Sequence, residues 1–165
     1  MLKLIYVLSI SVCFLHSKAQ QAINYGVMEK LEGKWLANGS AFGMPAVVTM
    51  QWQKELDGKF MQLFYQMVMT TKEGSQQIFK GTAYYKVTGV DSFSATWFDS
   101  GGEMHPVTAT ATGAELISIW GVQGSKLGKT TYKFIDTDTV EVTDFVQNKE
   151  GVWKQFNKNI LKRDR

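Results

Sequence analysis

The stretch "KFMQLFYQMVM", residues 59–69, decides how the chain is read. Side chains alternate across a β-strand. Met61, Leu63, Tyr65, Met67 and Met69 therefore share one face, and Phe60, Gln62, Phe64, Gln66 and Val68 share the other. The first set is the expected interior. "FKGTAYYKV", residues 79–87, repeats the pattern, with Phe79, Gly81, Ala83, Tyr85 and Val87 on one side and Lys80 and Lys86 on the other. No long stretch carries the 3.6-residue apolar period of an amphipathic helix.

Working outward, short runs rich in Val, Thr, Phe, Tyr, Trp and Met alternate with turn signals. Strands are predicted near 33–42, 46–55, 59–71, 76–88, 92–99, 104–112, 115–121, 128–136, 138–147 and 151–163. A short helix is predicted over 21–31, with Ile23, Val27, Met28 and Leu31 on one side. The links "LDGK", "TKEGS", "GVD", "SGGE", "GAE", "GSKLG", "DTD" and "NKEG" are dense in residues that accept positive φ or form side-chain turns. Such short links make successive strands antiparallel neighbours. About ten strands in series would expose two edges in an open sheet, and closure removes them. The expected fold class is all-β: an antiparallel up-and-down barrel of about ten strands with a short N-terminal helix.

The N-terminus reads separately. "MLKLIYVLSISVCFLHSKAQ" has an early cation, an apolar run from Leu4 to Leu15, and small residues before a cleavage point between Ala19 and Gln20. This is the pattern of a signal peptide over residues 1–19, implying export to the periplasm or the extracellular space. The apolar run falls short of the roughly 20 residues that a membrane span needs. A lipid-anchor reading at Cys13 is disfavoured, because Val12 stands where a small residue is expected. Without residues 1–19, Lys3 and Lys18 leave, so 16 cations face 15 acids and the formal net charge falls from +3 to about +1. Nothing in that balance calls for nucleic acid, which needs clustered positive charge. Cys13 and His16 leave as well, so residues 20–165 hold no thiol chemistry and no disulfide. They are expected to form one domain.

The sharpest local motif is "LEGKWLANGSAFGMP", residues 31–45. Every second residue from Gly33 reads Gly, Trp, Ala, Gly, Ala, Gly, a strand face with one large aromatic and little else. Small side chains of this kind let an opposite wall or a ligand come close. The chain here resembles the calycins, which include lipocalins, fatty-acid-binding proteins and nitrobindin-type β-barrels. Gly33-x-Trp35 is similar to their first-strand Gly-x-Trp, and the small-residue alternation with Pro45 is similar to the nitrobindin pattern. The strand count and spacing are similar to those of secreted bacterial lipocalin-like domains of unassigned function. The resemblance implies structural roles for Trp35 and for a cation from the chain end laid across it. "ILKRDR" offers Arg163, with Lys162 as second choice.

Catalytic and metal readings find little support. "TWFDSGGEMHPV", residues 96–107, gathers Asp99, Ser100 and His105. Asp99 and Ser100 would point to opposite sides of a strand end, and Ser100-Gly101-Gly102-Glu103 reads as a hairpin tip. No Gly-x-Ser-x-Gly elbow occurs, so no enzyme activity is expected. One histidine without cysteine does not make a usual zinc set, and no metal site is expected. A single histidine can hold haem. Nitrobindin-type barrels do so from a late strand, but the matching segment "VWKQFNKNI", residues 152–160, has no histidine. The resemblance therefore does not carry haem over. Haem on His105 from another wall stays as an alternative beside the plainer reading of a polar rim residue. Asp136 with Asp138 reads as a turn. Glu141 and Asp144 face opposite sides. Asp144 shares a face with Val140, Val142 and Val146, so if buried it needs partners.

The aromatics point to binding. Trp35, Trp52, Trp97, Trp120 and Trp153 fall on five different strands. A barrel of about ten strands is wider than the eight-stranded kind whose interior side chains just fill it. Aromatic and Met walls suit an apolar guest. The expected function is non-covalent binding of a small apolar or amphipathic molecule, with no cofactor and no membrane span. The expected lining is Met50, Leu63, Tyr65, Met67, Tyr85, Trp97, His105, Trp120, Tyr132 and Phe134. The other reading is a filled barrel acting as a structural or interaction module through its outer surface. Exposed Phe60, Phe64 or Phe98 would serve it.

Overall fold

The computed structural model describes residues 23–165. The signal-peptide reading of residues 1–19 lies outside them. Ten strands follow one short 3₁₀ helix, η1 (Gly26–Leu31). They are β1 (Gly33–Ala41), β2 (Met44–Glu55), β3 (Phe60–Thr70), β4 (Gln76–Gly89) and β5 (Ser92–Asp99). β6 (Met104–Thr112), β7 (Glu115–Gly121), β8 (Leu127–Asp136), β9 (Thr139–Gln147) and β10 (Trp153–Asp164) complete the series. Each strand pairs antiparallel with the next, and β1 pairs with β10 to close the barrel.

The predicted alternation holds on β3, where Met61, Leu63, Met67 and Met69 are buried and Phe64 is exposed. Two expectations at the N-terminal end are corrected. The helix spans only Gly26–Leu31, and Ile23 lies outside it, exposed. The first strand stops at Ala41, because Phe42 (φ 51°) and Gly43 (φ 77°) make a two-residue turn into β2. Positive φ at both central positions is the type I′ requirement, which suits Gly and is uncommon for a bulky residue. The Phe42 ring stacks on Phe156 with centroids 6.1 Å apart, a contact that offsets part of the backbone cost.

The two ends of the barrel differ. η1 closes the end where β1 begins and β10 finishes. Tyr25, Met28, Leu31 and Trp35 are fully buried there. Trp35 Nε1 donates to the Leu31 carbonyl at 2.7 Å, tying helix to strand. The Arg163 guanidinium lies 4.1 Å over the Trp35 ring. It also donates to the carbonyls of Glu32 at 2.5 Å and Lys30 at 2.9 Å, and its Nε stands 3.3 Å from Asp138 Oδ1. This one side chain ties the last strand to helix, first strand and a turn. The seam it guards is short: β1 and β10 are in register only from Lys34 opposite Asp164 to Leu36 opposite Lys162. β1 meets β2 along its whole length, from Gly33 to Ala41.

Candidate functional site: the open half of the barrel

At the opposite end the interior is hollow. A cavity of about 400 Å³ opens there, lined at its mouth by Phe42, Asp99, Lys126 and Phe156. Phe42 is 64% exposed, so the cavity reaches solvent. Its size is in the lower part of the range usual for small-molecule sites.

One wall is apolar. β2–β5 supply Val48, Met50, Leu63, Met67, Met69, Phe79 and Trp97, together with Tyr65. Two tryptophans lie flat against glycines, and this keeps the space open. A Cβ on Gly81 would stand 1.9 Å from Trp97 Cζ2, and one on Gly128 would stand 2.0 Å from Trp120 Cζ2. Only glycine lets each indole lie against the wall. Both indole N–H groups are spent on the wall too: Trp97 Nε1 donates to Asp99 Oδ2 at 3.3 Å, and Trp120 Nε1 to Thr130 Oγ1 at 3.2 Å.

The facing wall carries a polar row. Ser118, Thr130, Asp144 and Asn157 stand opposite one another on β7, β8, β9 and β10. Thr130 Oγ1 donates to Asp144 Oδ1 at 2.7 Å, and Asn157 Nδ2 donates to Asp144 Oδ2 at 2.8 Å. Asn159 Nδ2 donates to Asn157 Oδ1 at 3.0 Å. Below them Tyr85 Oη and Ser118 Oγ share a hydrogen bond of 3.3 Å. Burial raises the Asp144 carboxyl above its ordinary 3.8, and its two donors oppose that only in part. Among the described residues Asp144 makes no salt bridge. Burial also raises Tyr65, with the Asp144 charge adding to it, and it pushes Tyr85 up to about 12.

A bulge builds this wall. Register shifts between Gln155 and Asn157 on β10. Before the shift, odd-numbered Gln155 pairs with Phe145, whose ring sits 4.4 Å under Lys129 Nζ on the outer face. After it, odd-numbered Asn157, Asn159 and Leu161 line the interior. Bulges re-aim side chains in this way.

Of the residues expected to line a site, Met50, Leu63, Tyr65, Met67, Tyr85, Trp97, His105, Trp120 and Tyr132 all do so. Phe134 does not. It packs edge-on against Trp35 at the closed end, centroids 6.4 Å apart, because β8 carries it two inward positions beyond Thr130 and one beyond Tyr132. His105 is buried at the mouth, its ring 5.7 Å from that of Trp120 and its Nε2 3.7 Å from Glu103 Oε2. Among the described residues no group of three or more His, Cys, Asp and Glu is placed to hold a metal ion. Ser100 Oγ accepts from Lys80 N at 3.1 Å and Asp99 Oδ1 accepts from Gly101 N at 2.8 Å, so both stabilise the hairpin.

Sequence reasoning anticipated that a buried Asp144 needs partners but not which ones, and it left Asp144, Asp99, Lys126, Phe42 and Phe156 out of the expected lining. The Val140–Val146 alternation was the signal for Asp144. Asn157 and Asn159 gave none, because the bulge reverses the alternation just before them.

Among the described residues no helix is long and apolar enough to cross a membrane. No protein-family model matches the chain, and no curated protein matches it. Among solved structures, the chain is similar to the crystal structure of Rv2717c from M. tuberculosis, with a TM-score of 0.63 and 14% identity over 84% of this chain and 95% of that one. That likeness is one of fold, and with the cavity it makes this a β-barrel capable of ligand binding.

Proposed function

We propose that the protein is an exported calycin-like barrel that binds a small amphipathic molecule, non-covalently, in its open half. The observation that carries this reading is the two-sided cavity: a wall of Met and aromatic side chains faces a row of hydrogen-bonding groups across about 400 Å³. Apolar burial supplies the affinity and the polar row sets the orientation, a division of labour usual in small-molecule sites. An outer-surface role draws on Phe64, Phe98 and Met104, all exposed. Thr82, however, stands between Phe64 and Phe98 in the register. That interruption, and the unfilled interior, favour the binding role.

The test is titration with N-phenyl-1-naphthylamine, a neutral apolar fluorophore, alongside native mass spectrometry of protein purified from cells that export it. Saturable enhancement at one site per chain, or a retained small-molecule mass, is expected. Fluorescence that rises without saturation, together with a bare protein mass, overturns the reading.

A further inference from the structure

Asp144 is the one group in the cavity that the packing does not explain. A buried carboxylate is costly unless paired, and replacing it with an apolar residue would leave a better core. Its network is directional. An indole N–H only donates, so Trp120 obliges Thr130 Oγ1 to accept from it and leaves the Thr130 proton for Asp144 Oδ1. On the other side Asn159 donates to Asn157, and the Asn157 amide donates to Asp144 Oδ2. Both chains deliver their hydrogens to Asp144. An ionised carboxylate accepts about four hydrogen bonds, and the protein fills one on each oxygen. What remains faces the cavity that Asp144 lines. No protein cation pairs with it among the described residues. The same cavity is lined by the rings of Tyr65, Trp97 and Trp120, whose faces attract cations.

The geometry points to a ligand with one cationic amine, seated on Asp144 with its apolar body against the Met and aromatic wall. This rests on the cavity-binding reading and names its chemical class. The charged end would supply the missing counter-ion, and the bond it makes is of the strong charge-assisted kind. The other charged groups of the lining and its histidine, Asp99, Lys126 and His105, stand at the mouth, where the ligand's remaining surface meets water, and the phenols of Tyr65, Tyr85 and Tyr132 also line the cavity, held in their neutral form by burial.

Three probes with one ring system test it by calorimetry at neutral pH: tryptamine (a cation), tryptophol (neutral) and indole-3-acetate (an anion). The expected order is tryptamine tightest by about tenfold or more over tryptophol, the worth of one charge-assisted hydrogen bond, with indole-3-acetate weakest. In Asp144→Asn, checked for its β-sheet signal, the advantage of tryptamine over tryptophol should vanish. Equal binding of tryptamine and tryptophol, a preference for the acid, or a tryptamine preference that survives in Asp144→Asn would each overturn the inference. The wild-type series decides even if the variant does not fold. Saturable binding of the neutral fluorophore without amine preference sinks this inference alone. Failure of every probe sinks the cavity reading with it.

Discussion

The two ends of the barrel are built from the same ten strands under opposite rules. At the closed end the large groups are tied together: Trp35 bonds Leu31, and Arg163 covers Trp35 while bonding Glu32 and Lys30, although the buried Trp52 Nε1 beside them has no hydrogen-bond partner among the described residues. Lys54 pairs with Glu29 at 3.0 Å and Glu32 at 3.2 Å outside it. At the open half, Phe42 holds an unfavourable backbone angle, glycines keep two indoles off the axis, and a carboxylate sits inside without a counter-ion among the described residues. The β1–β10 pairing also stops at Leu36, before the open half. Stability gathered at one end lets the other stay hollow and polar, the usual exchange between stability and a working site.

The comparison can be broken most severely at Trp35. Trp35→Ala should cost about 3–5 kcal/mol, the range for deleting a large buried aromatic. A urea melt followed by circular dichroism reads it. A loss below 1 kcal/mol, on the same scale, would mean that the plug is not where stability resides. The second test acts on the hollow half. Gly81→Ala puts a methyl into the Trp97 ring, which must shift, and the cavity it lines offers room for that. The expected cost is about 1–3 kcal/mol, with a disproportionate loss of fluorophore binding. Unchanged binding would show that the ring moves elsewhere.

The smallest effect sharpens the contrast through pH. Asp144 holds its proton more tightly folded than unfolded. Such a group contributes stability that is complete at pH below its ordinary 3.8 and is lost as pH rises through its raised folded value. Stability from this site should therefore decline from acid toward neutral pH. Asp144→Asn should remove that decline. Melting temperatures taken across the pH range, wild type against variant, check it. Parallel curves would place the carboxyl in a setting more like water.

Much of this was legible before folding. Alternation in 59–69 and 79–87 assigns interior faces locally, since a strand's two-residue period needs no tertiary information. Gly33-x-Trp35 and the terminal Arg163 were legible only through a family resemblance, since no local spacing carries a cation from the chain end to the first strand. Phe134 was misplaced because alternation tells which way a side chain points but not how far along the barrel it sits. Asn157 and Asn159 were invisible because a bulge resets the count.

The sequence by itself determined the ten strands, their turns, and which side of most strands faces inward, because these depend on neighbours along the chain. Only the tertiary structure decided that Ser118, Thr130, Asp144 and Asn157 meet in one row, that Trp97 and Trp120 rest on Gly81 and Gly128, and that the space between stays open. Those outcomes depend on register between strands and on the volume left after closure, and neither quantity is a property of any single segment.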